Sequence, residues 1–248
     1  MVKKLLKSLL PYRLTRNGMG FYYENKIIGK SKILDGPFKG MKYTKKSFCG
    51  SHTPKLIGTY EYELRPYLNK IKSSKFDGII DVGAAEGYYA VGLALTNPSL
   101  PIIAYEQDAS ARRLISEMAK RNGVERNVKI RATCETKDLK HDLQNKNMFL
   151  LMDVEGYEEV LLDPVQVPEL KKTTILFESH DLYSEGIGNR IINRFKITHK
   201  ISRIDAQPRN LQDINYLPLF FKLYIKHNLI GMMGERPLPM NWYYMEPQ

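Results

Sequence analysis

Two glycines close to each other follow a mostly apolar run in the first half of the chain. Gly83 and Gly87 come directly after residues 79–82, and a helix-compatible segment continues through Leu95. A strand, a glycine turn and a helix N-terminus in this order present backbone N–H groups to a ligand. The pattern is typical of α/β proteins that bind nucleotide-like molecules.

The residues between the glycines discriminate between two cofactors. A dinucleotide cradle has the pattern G-x-G-x-x-G, in which the second glycine lets a pyrophosphate approach the backbone. Here Ala85 stands where that glycine belongs, and Glu86 adds a negative charge that we expect to repel a pyrophosphate. S-adenosylmethionine has no phosphate and carries an ammonium and a sulfonium. The turn therefore favours S-adenosylmethionine over a nicotinamide or flavin dinucleotide.

Glu106 ends a second apolar run, 19 residues after Gly87. A carboxylate at this place can accept hydrogen bonds from both ribose hydroxyls of a nucleoside. Such an acid serves either cofactor, so it supports nucleoside binding without choosing between them. The alternative is a solvated carboxylate at the end of a strand.

Asp153 and Glu155 follow a third run, residues 148–152, which is wholly apolar. Asp153 is either part of a site or poorly solvated, and we interpret it as functional. Glu155 stands at the start of a predicted helix, where it can also serve to stabilise the helix dipole. We expect Glu158, on that helix, to be a surface or supporting residue.

Glu178, His180 and Asp181 follow the next apolar run. The carboxyl ends of neighbouring parallel strands meet beside the switch point where ligands bind, so these residues should lie near Asp153. A reaction at a hydroxyl group needs an oriented acceptor and a base. Asp153, His180 and Glu178 are the candidate catalytic residues, and His180 has a suitable intrinsic pKa. The same group with Asp181 can alternatively hold Mg²⁺.

The elements that carry these residues alternate between strand and helix, which predicts an α/β fold with a doubly wound, Rossmann-like parallel sheet. Asp108 is predicted to cap a helix over residues 109–121. Thr59 is predicted to cap another over residues 59–71, in which Pro66 indicates a kink or a later start. Strands are predicted at residues 78–82, 101–106, 128–132, 148–153, 174–177, 196–204 and 240–245.

Four stretches resemble motifs of one enzyme family. The stretch 81–88 is similar to motif I of class I S-adenosylmethionine-dependent methyltransferases. The stretch 151–161 resembles the D-x-E-G-x-E-x-x-x-L signature of the FkbM type, with its G-T-Y-E entry at 58–61 and its strand-five ending at 176–180. The resemblance covers residues 56 to about 181. It implies seven strands in the order 3-2-1-4-5-7-6 with the last strand antiparallel, and O-methylation of a sugar or glycolipid.

The resemblance also implies a set of cofactor-binding residues. Glu61, with Tyr60, would reach the methionine end, and Cys134, with Thr133 and Glu135, would form a wall of the adenine pocket. The predicted set is Asp81, Gly83, Ala85, Gly87, Tyr88, Glu106, Cys134, Asp153 and Glu61.

Charge and composition divide the chain of 248 residues into two regions. Residues 1–50 hold 12 Lys or Arg and 2 Asp or Glu, so they supply +10 of the net charge of +11. We expect a basic, β-rich N-terminal extension or lid at 1–55 and a methyltransferase domain at 56–248, with an insertion near 207–238. The near-neutral remainder disfavours a nucleic-acid partner. A small-molecule or glycan acceptor fits better, and a non-catalytic cofactor-fold module remains the alternative from another class.

Localisation follows from the cysteines and the first residues. Two distant cysteines fit a reducing compartment, which indicates the cytoplasm. Residues 2–10 place four leucines on one helical face with lysines around them. This pattern predicts peripheral contact of residues 2–16 with an anionic membrane surface. A short capping helix or a frayed tail explains it equally well.

Overall fold

The computed structural model describes residues 31–45, 47–181, 185–214, 216, 233 and 240–248. The helical segment at residues 2–10 and the first 30 residues of the predicted β-rich extension lie outside these residues, as does most of the predicted insertion. Within the described residues, no helix is both long enough and apolar enough to cross a membrane.

Seven strands form one sheet in the order β3-β2-β1-β4-β5-β7-β6, which confirms the predicted fold class. β7 runs antiparallel to both of its neighbours, and the pairs among β1 to β5 are parallel. The strands are β1 Gly78–Val82, β2 Ile102–Tyr105, β3 Val128–Arg131, β4 Met148–Met152, β5 Thr174–Ser179, β6 His199–Asp205 and β7 Asn241–Pro247.

Helices cover both faces of the sheet. Asp108 caps the longest described helix as predicted, since its side chain accepts hydrogen bonds from the backbone N–H groups of Ser110 and Ala111. Where the structure gives their bounds, the α-helices are α1 His52–Ile57, α2 Arg65–Ser73, α3 Tyr88–Thr96, α4 Ala109–Asn122, α5 Thr136–Leu143, α6 Glu158–Leu161 and α7 Ile187–Phe195, and the 3₁₀ helices are Tyr62–Leu64, Pro168–Lys172 and Leu211–Ile214.

The helix predicted at residues 59–71 begins later than Thr59. α2 starts at Arg65, after a 3₁₀ turn, and Pro66 lies in its first helical turn. A proline is tolerated there because the missing N–H has no partner within the helix. Thr59 is therefore not the cap of this helix.

The helix expected at residues 155–162 is also shorter than predicted and spans only Glu158–Leu161. Glu155 and Gly156 both have a positive φ, of 54° and 104°, which an α-helix excludes. This turn proves important, because it directs the side chains after β4.

The core lies in two layers, one on each face of the sheet. Every residue of β1, β4 and β5 is buried, as expected of central parallel strands. Ile79 packs in one layer and Ile80 in the other. The segment before α1 packs on the first layer through Phe38 and Tyr43. Its described strand pairing is one isolated bridge, between Lys32 and Lys42.

Candidate active site

A cavity of about 240 Å³ opens at the carboxyl ends of β1, β2 and β4. Its floor is the glycine turn after β1, and residues following β2, β3 and β4 form its sides. Phe48, Cys49, Lys55 and Tyr60, which precede the sheet in sequence, also line it. The cavity lies where doubly wound sheets bind their ligands.

Six of the nine predicted cofactor-binding residues line this cavity, namely Gly83, Ala85, Tyr88, Glu106, Cys134 and Asp153. The other three, Asp81, Gly87 and Glu61, are not part of its wall. Gly87 is the N-cap of α3, with a φ of 94°. The Glu61 carboxylate accepts a hydrogen bond from the hydroxyl of Tyr89, which lines the cavity, so Glu61 holds that side chain without lining the cavity itself.

At Gly83 the backbone of the glycine turn lies directly against the backbone at the end of β4. Its φ is 88°, and a Cβ atom added there would lie 1.7 Å from the carbonyl oxygen of Asp153. The backbone N–H of Asp153 in turn donates to the Val82 carbonyl at 2.9 Å. Only glycine allows this approach, which explains why the two functional stretches of the sequence meet here.

Glu106 is held rigidly at the edge of the cavity. Its Oε2 accepts the Ala85 N–H at 2.8 Å, and its Oε1 accepts the Asp108 N–H at 2.7 Å. Each carboxylate oxygen can accept more than one hydrogen bond, so both can still bind a ligand hydroxyl. The predicted ribose contact therefore fits this geometry.

Asp81 lies beneath the first turn of α3 and is buried. Burial raises its pKa to about 7, the nearby Glu106 charge contributes to the increase, and an interaction with the Ala90 backbone N–H partly offsets it. Because Asp81 does not line the cavity, its carboxylate is better described as a structural group whose ionisation is costly.

We expect Asp81→Asn to change how stability depends on pH. The pKa in the folded protein, about 7, lies above the ordinary 3.8. The folded state therefore holds the proton more tightly, and stability is lost as pH rises from about 4 to 7. The loss from this group is at most about 4 kcal/mol. In urea denaturation from pH 4 to 8, the free energy of unfolding of the variant should rise relative to that of the wild type as pH increases through this range. A difference independent of pH would contradict the assignment.

Glu86 does not face the cavity, so our interpretation that it repels a pyrophosphate is wrong. Its carboxylate is fully buried, and Oε1 accepts from the Lys55 ammonium at 2.6 Å and from the Tyr43 hydroxyl. Oε2 accepts the backbone N–H groups of Phe48 and Cys49, at 3.1 and 3.2 Å. Burial opposes ionisation, but Lys55 and these hydrogen bonds outweigh it and lower the pKa of Glu86. Glu86 thus anchors the segment before α1, residues 31–51, on the glycine turn; we call this segment the front segment.

Lys55 is the cation of this buried pair and also lines the cavity. Its Nζ donates a second hydrogen bond to the Cys49 carbonyl at 2.7 Å and lies 4.8 Å from the centre of the Tyr60 ring. Lys55 could not be predicted as a site residue, since it comes from α1, 31 residues before Glu86, in a stretch whose spacing matches no motif.

The predicted catalytic residues meet around His180, which is fully buried. The Nε2 atom lies 3.4 Å from Asp153 Oδ1, 3.5 Å from Glu155 Oε2 and 3.3 Å from Glu178 Oε2. The Nδ1 atom lies 2.6 Å from Glu158 Oε1. Four carboxylates therefore surround one imidazole, and we call these five residues the acidic cluster.

Glu158 is a buried support of the acidic cluster and not a surface residue. Besides His180, its carboxylate accepts the N–H groups of Val154 and Gly156, both at 3.0 Å. These bonds hold the turn with positive φ after β4 and so position Asp153 and Glu155. The D-x-E-G-x-E spacing did contain this residue, but its orientation depends on that turn.

The acidic cluster changes the protonation of His180. Burial alone would lower the pKa, but hydrogen bonds with Glu158 and Glu178 and the charge of Asp153 raise it to about 10. The intrinsic pKa that made His180 a candidate base is therefore not the pKa that it has in this site. In this arrangement the ring keeps its proton at neutral pH, and a carboxylate is the better proton acceptor.

Asp181 does not belong to the acidic cluster, although we grouped it with the possible metal ligands. Its carboxylate accepts from the Ser179 hydroxyl at 2.6 Å and from the Gly188 N–H at 3.2 Å. Side chains alternate at the end of β5, so Glu178 and His180 reach one side and Asp181 the other.

Comparison with known proteins finds likeness in structure. No protein-family model matches the chain, and no curated protein matches its sequence. The O-methyltransferase TomG from Streptomyces achromogenes, in complex with SAM, has 12% identity and a TM-score of 0.48, over 77% of this chain and 81% of TomG. Precorrin-6y C5,15-methyltransferase from Geobacter metallireducens has 13% identity and a TM-score of 0.49, over 79% of this chain and 92% of that protein. Human methyltransferase 10 domain containing protein has 10% identity and a TM-score of 0.49, over 93% of this chain and 95% of that protein. These likenesses concern the fold alone.

Proposed function

We propose that this protein is an S-adenosylmethionine-dependent methyltransferase that methylates a hydroxyl group of a small acceptor. The observation that carries the proposal is the charge of the cavity wall. Among the described residues that line it, Glu106, Asp153 and Glu155 are carboxylates and Lys55 is the one cation. A pyrophosphate would meet mostly like charges there, whereas an ammonium and a sulfonium meet opposite charges.

The cavity offers a partner for each part of such a cofactor. Glu106 would bind the ribose hydroxyls, and Thr133 and Cys134 after β3 would flank the adenine. Lys55 would bind the methionine carboxylate, because its described hydrogen bonds use two of its three ammonium protons. Asp153 would face the ammonium group.

When bound, the cofactor would supply a methyl group on a sulfonium: the O–CH3 bond would form in line as the S–CH3 bond breaks, and S-adenosylhomocysteine would leave as a neutral thioether. The protein must then orient the acceptor and receive its proton. Asp153 is partly exposed, at 22%, and Glu155 is exposed at 53%, so both carboxylates can reach an acceptor at the cavity mouth. His180 and Glu178 would position Asp153 and Glu155 through the contacts of the acidic cluster.

For the acceptor we infer a sugar or glycoconjugate hydroxyl. The support is the resemblance of residues 81–88 and 151–161 to the FkbM-type methyltransferases. Other small molecules, a nucleic-acid acceptor and a non-catalytic binding module are the alternatives. Transfer of labelled methyl groups to a panel of sugars, glycolipids, phenols and RNA tests these directly. Turnover on a glycan that falls strongly in Asp153→Asn supports the proposal. No turnover on any acceptor, with Asp153→Asn indistinguishable from wild type, would favour the non-catalytic module.

We expect Glu106→Ala to weaken S-adenosylmethionine binding by about 10- to 100-fold. The substitution removes the charged acceptor of the ribose hydroxyls, and a total loss of about 1.5–3 kcal/mol, typical of one hydrogen bond to a charged group, corresponds to this range. Glu106→Gln is the matched control, since it keeps the shape and one oxygen, and its loss should be intermediate. Isothermal titration calorimetry measures both. Unchanged affinity in Glu106→Ala would remove the ribose assignment.

A further inference from the structure

We propose that Asp153, Glu155 and His180 bind a divalent transition-metal ion at the mouth of the cavity. One ligand atom from each of the three side chains lies within 4.8 Å of the other two. The distances from His180 Nε2 to the two carboxylates, 3.4 and 3.5 Å, are close to the separation of neighbouring ligands around an ion with bonds of about 2.1 Å. Small side-chain rotations would therefore complete the coordination.

The surroundings of His180 are those of a metal-binding histidine. Glu158 accepts a hydrogen bond from Nδ1 at 2.6 Å, so Nε2 is the ring nitrogen that faces Asp153 and Glu155. Glu158 is itself held by two backbone N–H groups. Metal-binding histidines commonly donate their other ring N–H to a carboxylate in this way, and that carboxylate holds the ring in place.

The side chains of the acidic cluster are of the types that bind divalent cations. Four carboxylates lie within 3.5 Å of one or the other ring nitrogen of His180. Imidazole nitrogens and carboxylate oxygens are common ligands of divalent ions, and an ion bound to Nε2 would lie next to the carboxylates of Asp153 and Glu155.

The ligand types indicate which ions bind. An imidazole nitrogen with carboxylate oxygens suits Mn²⁺, Fe²⁺, Co²⁺ or Zn²⁺ better than Mg²⁺, which prefers oxygen ligands only. This revises our expectation of Mg²⁺ with Asp153, Glu178 and Asp181. If the proposed function holds, on which this last step rests, the ion would bind the acceptor hydroxyl as a Lewis acid and lower its pKa.

The test is calorimetry of the full chain, stripped with EDTA and dialysed, with MnCl₂, ZnCl₂ and MgCl₂ titrated separately. We expect one Mn²⁺ or Zn²⁺ per chain at micromolar affinity, and Mg²⁺ at least about tenfold weaker. His180→Ala should lose at least about 100-fold in Mn²⁺ affinity. Glu155→Gln, which changes a side chain that is 53% exposed, should lose about 10-fold or more. His141→Ala, which removes an exposed histidine elsewhere, is the control and should bind like wild type.

Binding that is unchanged in both His180→Ala and Glu155→Gln, or no one-to-one binding below 1 mM on the scale of ordinary protein sites, would overturn the proposal. The metal result is independent of turnover. Metal binding without any methyl transfer would contradict the proposed function alone, whereas methyl transfer in a chain that binds no metal would contradict the metal site alone.

Discussion

Gly83→Ala is expected to abolish measurable cofactor binding and to lower the free energy of unfolding by about 3 kcal/mol or more. The new methyl group would lie 1.7 Å from the Asp153 carbonyl oxygen, which is backbone and cannot rotate away. The glycine turn or the end of β4 must then move, and each carries part of the cavity wall. Urea denaturation and calorimetry with S-adenosylmethionine measure the two effects.

Gly123→Ala is the matched control for this substitution. Gly123 has a similarly positive φ, of 71°, but an added Cβ would have nothing within 4 Å. The control therefore pays only the left-handed backbone strain, about 1–2 kcal/mol, and should keep its cofactor affinity. Equal losses of stability in the two variants, with cofactor still bound by both, would show that the close backbone contact at Gly83 is not needed for cofactor binding.

Lys55→Met is expected to destabilise the protein by about 3–5 kcal/mol, because it leaves Glu86 as a buried carboxylate without its cation. The side chains of Lys55 and Glu86 are 4% and 0% exposed, so solvent cannot compensate for the loss. The front segment, which Glu86 anchors through Phe48 and Cys49, should loosen over the cavity. Urea denaturation gives the stability, and hydrogen exchange of residues 47–57 gives the local effect.

Two controls separate the buried pair from general effects of losing a lysine. The double variant Lys55→Met/Glu86→Gln removes both charges and should recover most of the stability, since replacing a buried pair by neutral groups is often nearly neutral. Lys39→Met, at the exposed end of a 4.0 Å pair with Asp35, should cost less than about 1 kcal/mol. A double variant as unstable as Lys55→Met would show that packing, and not charge, dominates at this position.

The fold could be predicted from local patterns. The residues of β1, β4 and β5 are buried on both faces of the sheet, so these strands appear in the sequence as mostly hydrophobic stretches, and β4 is wholly apolar. Asp108 and Gly123 delimit α4 through side-chain capping and a left-handed residue, and both signals are local. The strand order was an implication of the family resemblance, since strand pairing is not a local property.

The site could be predicted only where a residue's position decides its contacts. Glu106 and Asp153 stand at strand ends, and the sheet brings them to the cavity. Glu86 lies in the same turn as Ala85, yet its side chain points to Lys55, whose place depends on how the front segment packs. Glu158 reaches His180 because of the positive φ of Glu155, which no periodic pattern reveals.

The central claim is that this cavity binds a cationic cofactor without phosphate, and calorimetry with S-adenosylmethionine and with NADH tests it most directly. We predict one S-adenosylmethionine per chain at micromolar affinity, with NADH at least about 100-fold weaker because a pyrophosphate would face Glu106, Asp153 and Glu155. Tighter binding of NADH than of S-adenosylmethionine would contradict the proposed function.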